Sequence, residues 1–233
     1  MKTAIITGAS VGIGQATAQR FISEGFAVYN LSRRDCPVEG VQNLGCDLSD
    51  EGSIAAAVTT LTETASSSES VCLVHNAAQM LKDTVSDCDS ASLRAVLETN
   101  VVAINSLNQA VLPLMSAGSS VLYVGSTLSE KAVSNSFSYV TSKHAQLGMM
   151  RATCQDLMDS GLHTALICPG FTDTEMLRTH IGYTPEVEAG IAGMNSFNRL
   201  IAPDEIAELV HWAHHNPVIN GAVLHANLGQ RES

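Results

Sequence analysis

The chain has 233 residues, 45% of them hydrophobic, and carries 12 basic against 23 acidic residues for a net charge of −11. That length and composition suffice to bury a full core, and the acidic balance argues against nucleic acid or an anionic membrane as a partner. No apolar run approaches the ~20 residues of a membrane span. No secretory signal precedes the first expected strand, so a cytoplasmic setting is expected.

Thr3-Ala4-Ile5-Ile6-Thr7 is a short β-prone run, followed by Gly8-Ala9-Ser10-Val11-Gly12-Ile13-Gly14 and then a partly apolar helical pattern through Ala16, Ala18, Phe21 and Ile22. A strand, a glycine turn and a helix form a dinucleotide-binding element. Gly8 permits the tight turn, Gly12 lets the backbone approach a pyrophosphate, and Gly14 lets the helix pack closely on the strand. The phosphates would meet the free N–H groups and positive dipole end of that helix.

Further strands are expected at 27–32, 42–46, 71–75, 119–125, 163–168 and 222–226, after a first at 3–7. Helices are expected near 13–24, 50–64, 90–115, 137–160 and 203–215. Such alternation implies an α/β fold: one Rossmann-type, doubly wound parallel sheet of about seven strands with helices on both faces, as one domain over 1–233. The polar stretch Thr62 to Ser70 reads as a surface connection. Residues 171–200, with Pro185 and three glycines, break the rhythm and read as a functional loop.

The six cysteines contain no C-x-x-C pair, and Cys46, Cys72 and Cys168 fall in expected strands as small buried hydrophobes. His211, His214 and His215 lack a completing ligand set, so no metal is expected and they read as a solvated helix face.

Tyr139 and Lys143 stand at i and i+4 in Ser138-Tyr139-Val140-Thr141-Ser142-Lys143, one turn apart on one helix face. A lone phenol titrates near ~10, whereas a fixed ammonium beside it favours the phenolate. That pairing suits a phenol to proton transfer.

Together these features resemble the short-chain dehydrogenase/reductase family over nearly the whole chain. Its glycine turn matches Thr7, Gly8, Gly12 and Gly14, and the resemblance adds Ser10 and Ile13 to the cofactor contacts. The Asp facing the adenine matches Asp47, with Leu48 beside it. The Asn-Ala-Gly after the fourth strand is matched by Asn76, Ala77 and Ala78, alanine replacing glycine. The structural and proton-relay Asn matches Asn100. The catalytic Ser matches Ser126, with Tyr139 13 residues further on. Pro169, Gly170, Thr172 and Thr174 match the Pro-Gly segment over the nicotinamide.

The resemblance implies a nicotinamide cofactor across the carboxyl ends of the strands. Tyr139 would move the proton of a carbonyl or alcohol oxygen and Ser126 would hydrogen-bond that oxygen. Lys143 would hold the ribose hydroxyls, and Asn100 would open its helix and hold a water linking Lys143 to solvent. The second strand ends Asn30-Leu31-Ser32-Arg33-Arg34. Ser32 stands where the family's NAD-specific members carry Asp, and Arg33 suits a 2′-phosphate, so NADP(H) is favoured over NAD(H); Arg33 and Arg34 also read as ordinary exposed charges.

For the substrate, the resemblance brings Gln79, Met80, the segment from Thr127 and Leu128 to Phe137, and the loop residues Phe171, Met176, Leu177, Met194 and Phe197 to the carbonyl. This set suits a small, mostly apolar carbonyl or alcohol compound. An NADPH-binding regulator with little catalysis and a β-ketoacyl-thioester reductase are the alternatives. Apolar surplus on the 90–115 helix and on the one bearing Tyr139 implies a homodimer or homotetramer.

Overall fold

The β-prone runs become seven strands of one all-parallel sheet in the computed structural model, which describes residues 1–65, 68–182 and 184–231. The strands are β1 (Lys2–Thr7), β2 (Ala27–Ser32), β3 (Gln42–Gly45), β4 (Ser70–His75), β5 (Ser120–Val124), β6 (His163–Pro169) and β7 (Ala222–Ala226), in the order β3-β2-β1-β4-β5-β6-β7. β1 lies inside, pairing with β2 through Ile5 opposite Tyr29 and with β4 through Ile5 opposite Leu73. Strands β1, β4, β5 and β6 are almost continuously buried, so they read as unbroken apolar runs rather than as alternation.

Helices cover both faces. One core joins Ile5, Tyr29, Leu73 and Tyr123 to Leu61, Leu107 and Met150 of α2 (Glu51–Ala65), α4 (Ala103–Val111) and α5 (Phe137–Asp156). The other joins Ala4, Ile6, Val74 and Ile167 to Phe21 and Val210 of α1 (Gly12–Ser23) and α8 (Pro203–His214).

The single helix expected over 90–115 is instead α3 (Ser90–Leu97), a π-helical turn Glu98–Val102, α4, and a 3-10 turn Leu112–Leu114. The stretch 171–200, expected as a loop, contains α6 (Glu175–Ile181) and α7 (Pro185–Ala192), each capped by the hydroxyl of the preceding Thr174 or Thr184. Of the expected surface connection Thr62 to Ser70, α2 reaches Ala65, Ser70 opens β4, and 66–67 lie outside the described residues.

The expectation for the three histidines is corrected for His214. It is 4% exposed, and its Nδ1 lies 2.8 Å from Ser120 Oγ. The apolar stripe of α8 (Ile206, Val210, Ala213) faces the sheet, and His214 falls on that stripe against Phe21 and Phe26. Burial lowers its pKa to about 3. Among the described residues no helix is long and apolar enough to cross a membrane, and no group of three His, Cys, Asp or Glu is placed to hold a metal.

Candidate active site

The carboxyl ends of the strands surround a cavity of about 1140 Å³. Its floor at one end is the glycine turn. Gly8 and Gly12 have φ of +69° and +58°, in the left-handed region that favours glycine. Gly14 is α-helical, but a Cβ there would fall 2.3 Å from Gly8 O. Neighbours brace the turn: Asn76 Nδ2 donates to Thr7 O and Gly8 O at 3.0 and 3.1 Å, and Asn30 Oδ1 accepts from the Ala9 N–H at 2.9 Å. At the start of α1 the N-cap residue is Val11, which offers no side-chain acceptor. The first-turn N–H groups therefore suit an anion supplied from outside, and the turn fits a dinucleotide pyrophosphate.

Ser32, Arg33, Arg34 and Asp47 edge the same cavity. Arg34 reaches Glu175 of α6 at 3.4 Å, while Arg33 helps hold the Asp47 carboxyl below its usual range, after the two hydrogen bonds from Ser49. No acidic side chain occupies position 32.

Ser126 caps the 3-10 turn Thr127–Ser129, its Oγ accepting the Leu128 N–H at 3.1 Å. With the Leu128 N–H on the oxygen's accepting side, the hydroxyl proton is directed elsewhere. Tyr139 and Lys143 lie in α5, whose entry is held by the Ser138 N–H donating to Asp83 Oδ1 at 3.1 Å. They are 8% and 2% exposed, with Lys143 Nζ 5.4 Å from the phenol ring centroid. Nζ donates to Val124 O at 2.9 Å and to Gln146 Oε1 at 3.0 Å. Burial lowers the Lys143 pKa to about 8. Burial also raises the phenol well above its ordinary value, with the Ser126 hydroxyl as the neighbour that favours the phenolate. Desolvation thus outweighs the expected lowering by the ammonium.

Asn100 lies within the π-helical turn, fully buried. Its Nδ2 donates to Gln79 O and Ser142 Oγ, both at 2.9 Å, and its Oδ1 accepts the Gln79 N–H at 2.7 Å. The helix does open at Asn100, and the Asn100 carbonyl accepts from Gln146 Nε2 at 2.8 Å.

The cavity wall contains most residues expected there: Gly8, Ser10, Gly12, Ile13, Ser32, Arg33, Asp47, Leu48, Asn76, Ala77, Ala78, Met80, Ser126, Thr127, Leu128, Tyr139, Lys143, Pro169, Gly170, Phe171, Thr172, Thr174, Met176 and Leu177. Gly14 and Asn100 are not on that surface. Met194 and Phe197 are a correction, since they stand outside the cavity at 37% and 63% exposure. Backbone hydrogen bonds tie their segment to the C-terminal stretch, Arg231 N–H to Met194 O at 2.7 Å and Ser196 N–H to Leu228 O at 3.1 Å. Glu130 turns to His225 of β7 at 2.9 Å. Val133 and Ser136 of the expected segment also line it, whereas Lys82, His180 and Gln230 were not foreseen on the wall. Gln146 was also missed, although its place three residues after Lys143 puts it on the same helix face.

A family model described as enoyl-(acyl carrier protein) reductase matches residues 8–230, nearly the whole chain. The chain belongs to the short-chain dehydrogenase/reductase family. Similar members include cis-4-hydroxycyclohexanecarboxylate dehydrogenase of Sinomonas cyclohexanicum, 28% identical over 90% of this chain and 87% of that protein. The 3-oxoacyl-[acyl-carrier-protein] reductase MabA of Mycobacterium tuberculosis is 24% identical over 96% of this chain and 90% of its own length. The ligand-free aldohexose dehydrogenase (AldT) of Thermoplasma acidophilum superposes with a TM-score of 0.90 at 25% identity, covering 98% and 93% of the two chains. This short-chain dehydrogenase/reductase is accordingly an oxidoreductase of a family that uses NAD(P)(H).

Proposed function

We propose that this protein interconverts a ketone and a secondary alcohol on a small, mostly apolar substrate, with NADP(H) preferred and Tyr139 as acid and base. The observation that carries the reading is convergence: Tyr139, Ser126 and Lys143 face the same cavity as the glycine turn and Arg33.

The turn and the start of α1 would hold the pyrophosphate, and Lys143 the nicotinamide ribose. Bound there, the cofactor supplies or takes the hydride. In reduction Tyr139 gives its phenolic proton to the carbonyl oxygen, and in oxidation the phenolate takes the alcohol proton. Ser126 donates to the same oxygen and stabilises charge developing there. Asn100 fixes Gln79, next to Met80 of the wall, against Ser142 of α5.

Arg33, with no acid at position 32, favours a 2′-phosphate over free ribose hydroxyls. Met80, Leu128, Val133, Phe171, Met176 and Leu177 make much of the substrate side apolar and adaptable. An acyl-carrier-protein substrate fits less well, because a net charge of −11 repels an acidic carrier. A purely regulatory role is disfavoured by the presence of all four catalytic-type side chains. We place the protein in the cytoplasm as one domain. Half-buried Leu93, Leu97 and Val101 of α3 and the π turn suit a homodimer or homotetramer.

The test is cofactor oxidation with a panel of ketones, aldehydes and diketones, beside a carrier-bound 3-oxoacyl thioester. NADPH-dependent reduction of apolar ketones is expected, with little on the thioester. Preference for NADH overturns the cofactor choice, efficient thioester turnover overturns the substrate choice, and no turnover with tight NADPH binding supports a regulator.

A further inference from the structure

Lys143 is a buried cation held by neutral partners. Among the described residues no carboxylate contributes to its electrostatics. An ammonium has three N–H donors, and two are taken by Val124 O and Gln146 Oε1 at 2.9 and 3.0 Å. Gln146 is 1% exposed and does not reach the cavity wall. Its orientation follows from its partners: the Asn100 carbonyl can only accept, so the amide nitrogen faces Asn100 and the amide oxygen faces Lys143. A carbonyl dipole aimed at a desolvated ammonium favours its charged form.

The same amide hydrogen-bonds both groups that a relaying water would join. A water bridging Lys143 Nζ and Asn100 O would both accept and donate, and so could pass a proton. A carboxamide donates hydrogen bonds but does not release its N–H proton near neutral pH. We propose that Gln146 is a positioning residue that stands in place of a proton-conducting water behind Lys143, fixing the ammonium under Tyr139 and leaving the cavity as its route of proton exchange. This rests on the reading of Tyr139 as the acid and base.

Few other charges complicate the site. From β6, Cys168 acts on both Lys143 and Tyr139, and burial pushes its thiol up to about 11, so it is neutral. Asn100 and Gln79 from the π turn and the β4–α3 connection, Ser142 from α5 and the Val124 carbonyl from β5 bring no charge.

Two variants separate the parts of the proposal. Gln146→Met fills the space without an acceptor for the ammonium, so the phenolate loses support. The pH midpoint of alcohol oxidation should then rise by about one unit, the size expected for losing a hydrogen bond to a charged group. Gln146→Ala opens a small space lined by Lys143 Nζ and Asn100 O, two polar partners that can retain a water. Its midpoint should return towards that of the wild type while its solvent isotope effect changes. A residue that only packs would give unshifted midpoints in both variants, and that result overturns the proposal.

A measurement on the unaltered protein needs neither turnover nor a folded variant. The Gln146 side-chain amide protons, followed by NMR, should exchange far more slowly than those of exposed Gln19; equal rates would overturn the sealed path. Tyr139→Phe tests the underlying reading separately, since it removes turnover and leaves Gln146 exchange slow.

Discussion

Two groups of buried bases sit at opposite ends of the sheet. At the carboxyl ends Lys143 has its pKa lowered to about 8 and stands at the wall of a large cavity beside Tyr139 and Ser126. At the amino ends His214 is lowered to about 3, packed between Ser120, Phe21 and Phe26. Both shifts have burial as the leading cause, so a perturbed base does not by itself mark a site of chemistry. Open space and convergent polar groups make the difference. The carboxyl-end group is placed to act on a ligand, whereas the amino-end group acts on stability.

Substitutions at the two ends should therefore fail in opposite ways. The largest effect is expected from Tyr139→Phe, which removes the proton donor but keeps the ring. Turnover should fall by ~10³-fold, within the range of a positioned general acid, with NADPH affinity and thermal midpoint near wild type. Steady-state kinetics, fluorescence titration and a melting curve check this. More than a few per cent residual activity would remove Tyr139 from the mechanism.

Next in size is cofactor discrimination. Ser32→Asp with Arg33→Ser should shift the kcat/KM ratio from NADPH towards NADH by roughly ten- to a hundredfold, since a hydrogen bond to a charged group contributes roughly 1.5–3 kcal/mol. An unchanged ratio would mean that neither residue meets the 2′ position.

The amino end should respond to acid. The folded pKa of His214 at about 3 lies below the unfolded value of ~6.5, so between them the unfolded chain binds the extra proton. Its contribution is fully present above pH ~6.5 and is lost as pH falls towards the folded value. At pH 5.5 this costs roughly 1.4 kcal/mol from His214, on the linkage relation. His75, lowered to about 4 by burial, acts in the same direction. Urea denaturation at pH 7.5 and 5.5 should show the loss, and His214→Leu should remove its own share without altering turnover at pH 7.5. Acid-independent stability in the wild type would contradict the burial of His214.

The smallest effect is expected from Arg34→Ala. The Arg34–Glu175 pair is more than half exposed at 3.4 Å, and such pairs contribute ~0–1 kcal/mol. NADPH KM should change only a few-fold; a larger effect than at Arg33 would transfer the phosphate contact to Arg34.

Much of the frame is legible in the sequence because buried parallel strands are short apolar runs bounded by turns. All seven strands fall within a residue of expectation at each end. The glycine turn is legible for a stricter reason, since few other sequences can adopt its backbone. α5 shows where this legibility ends. Its first half buries Ser138, Ser142, Lys143 and Gln146, so an apolar stripe marks its inner face only from Leu147 onwards, through Met150 and Cys154. Its two reactive positions came from a motif, and Gln146 passed unnoticed. His214 misled because three histidines in five residues read as a polar face, whereas Ser120 satisfies the buried one. In 171–200, Pro185 and the glycines obscured two short capped helices, and tertiary hydrogen bonds rather than local pattern carry Met194 and Phe197 away from the cavity.

The strand order also constrains how the chain is born. β1 emerges first, yet one of its two neighbours is β4, with Lys2 opposite Ser70, so β2 and β3 are synthesised while that edge stays open. The brace on the glycine turn arrives just after, because Asn76 closes on Thr7 and Gly8. A nascent chain released before that point would expose the open edge of an apolar strand and a turn without its Asn76 brace. It would invite aggregation and hold no nucleotide, so a cofactor can rescue this fold only after the ribosome has passed the fourth strand.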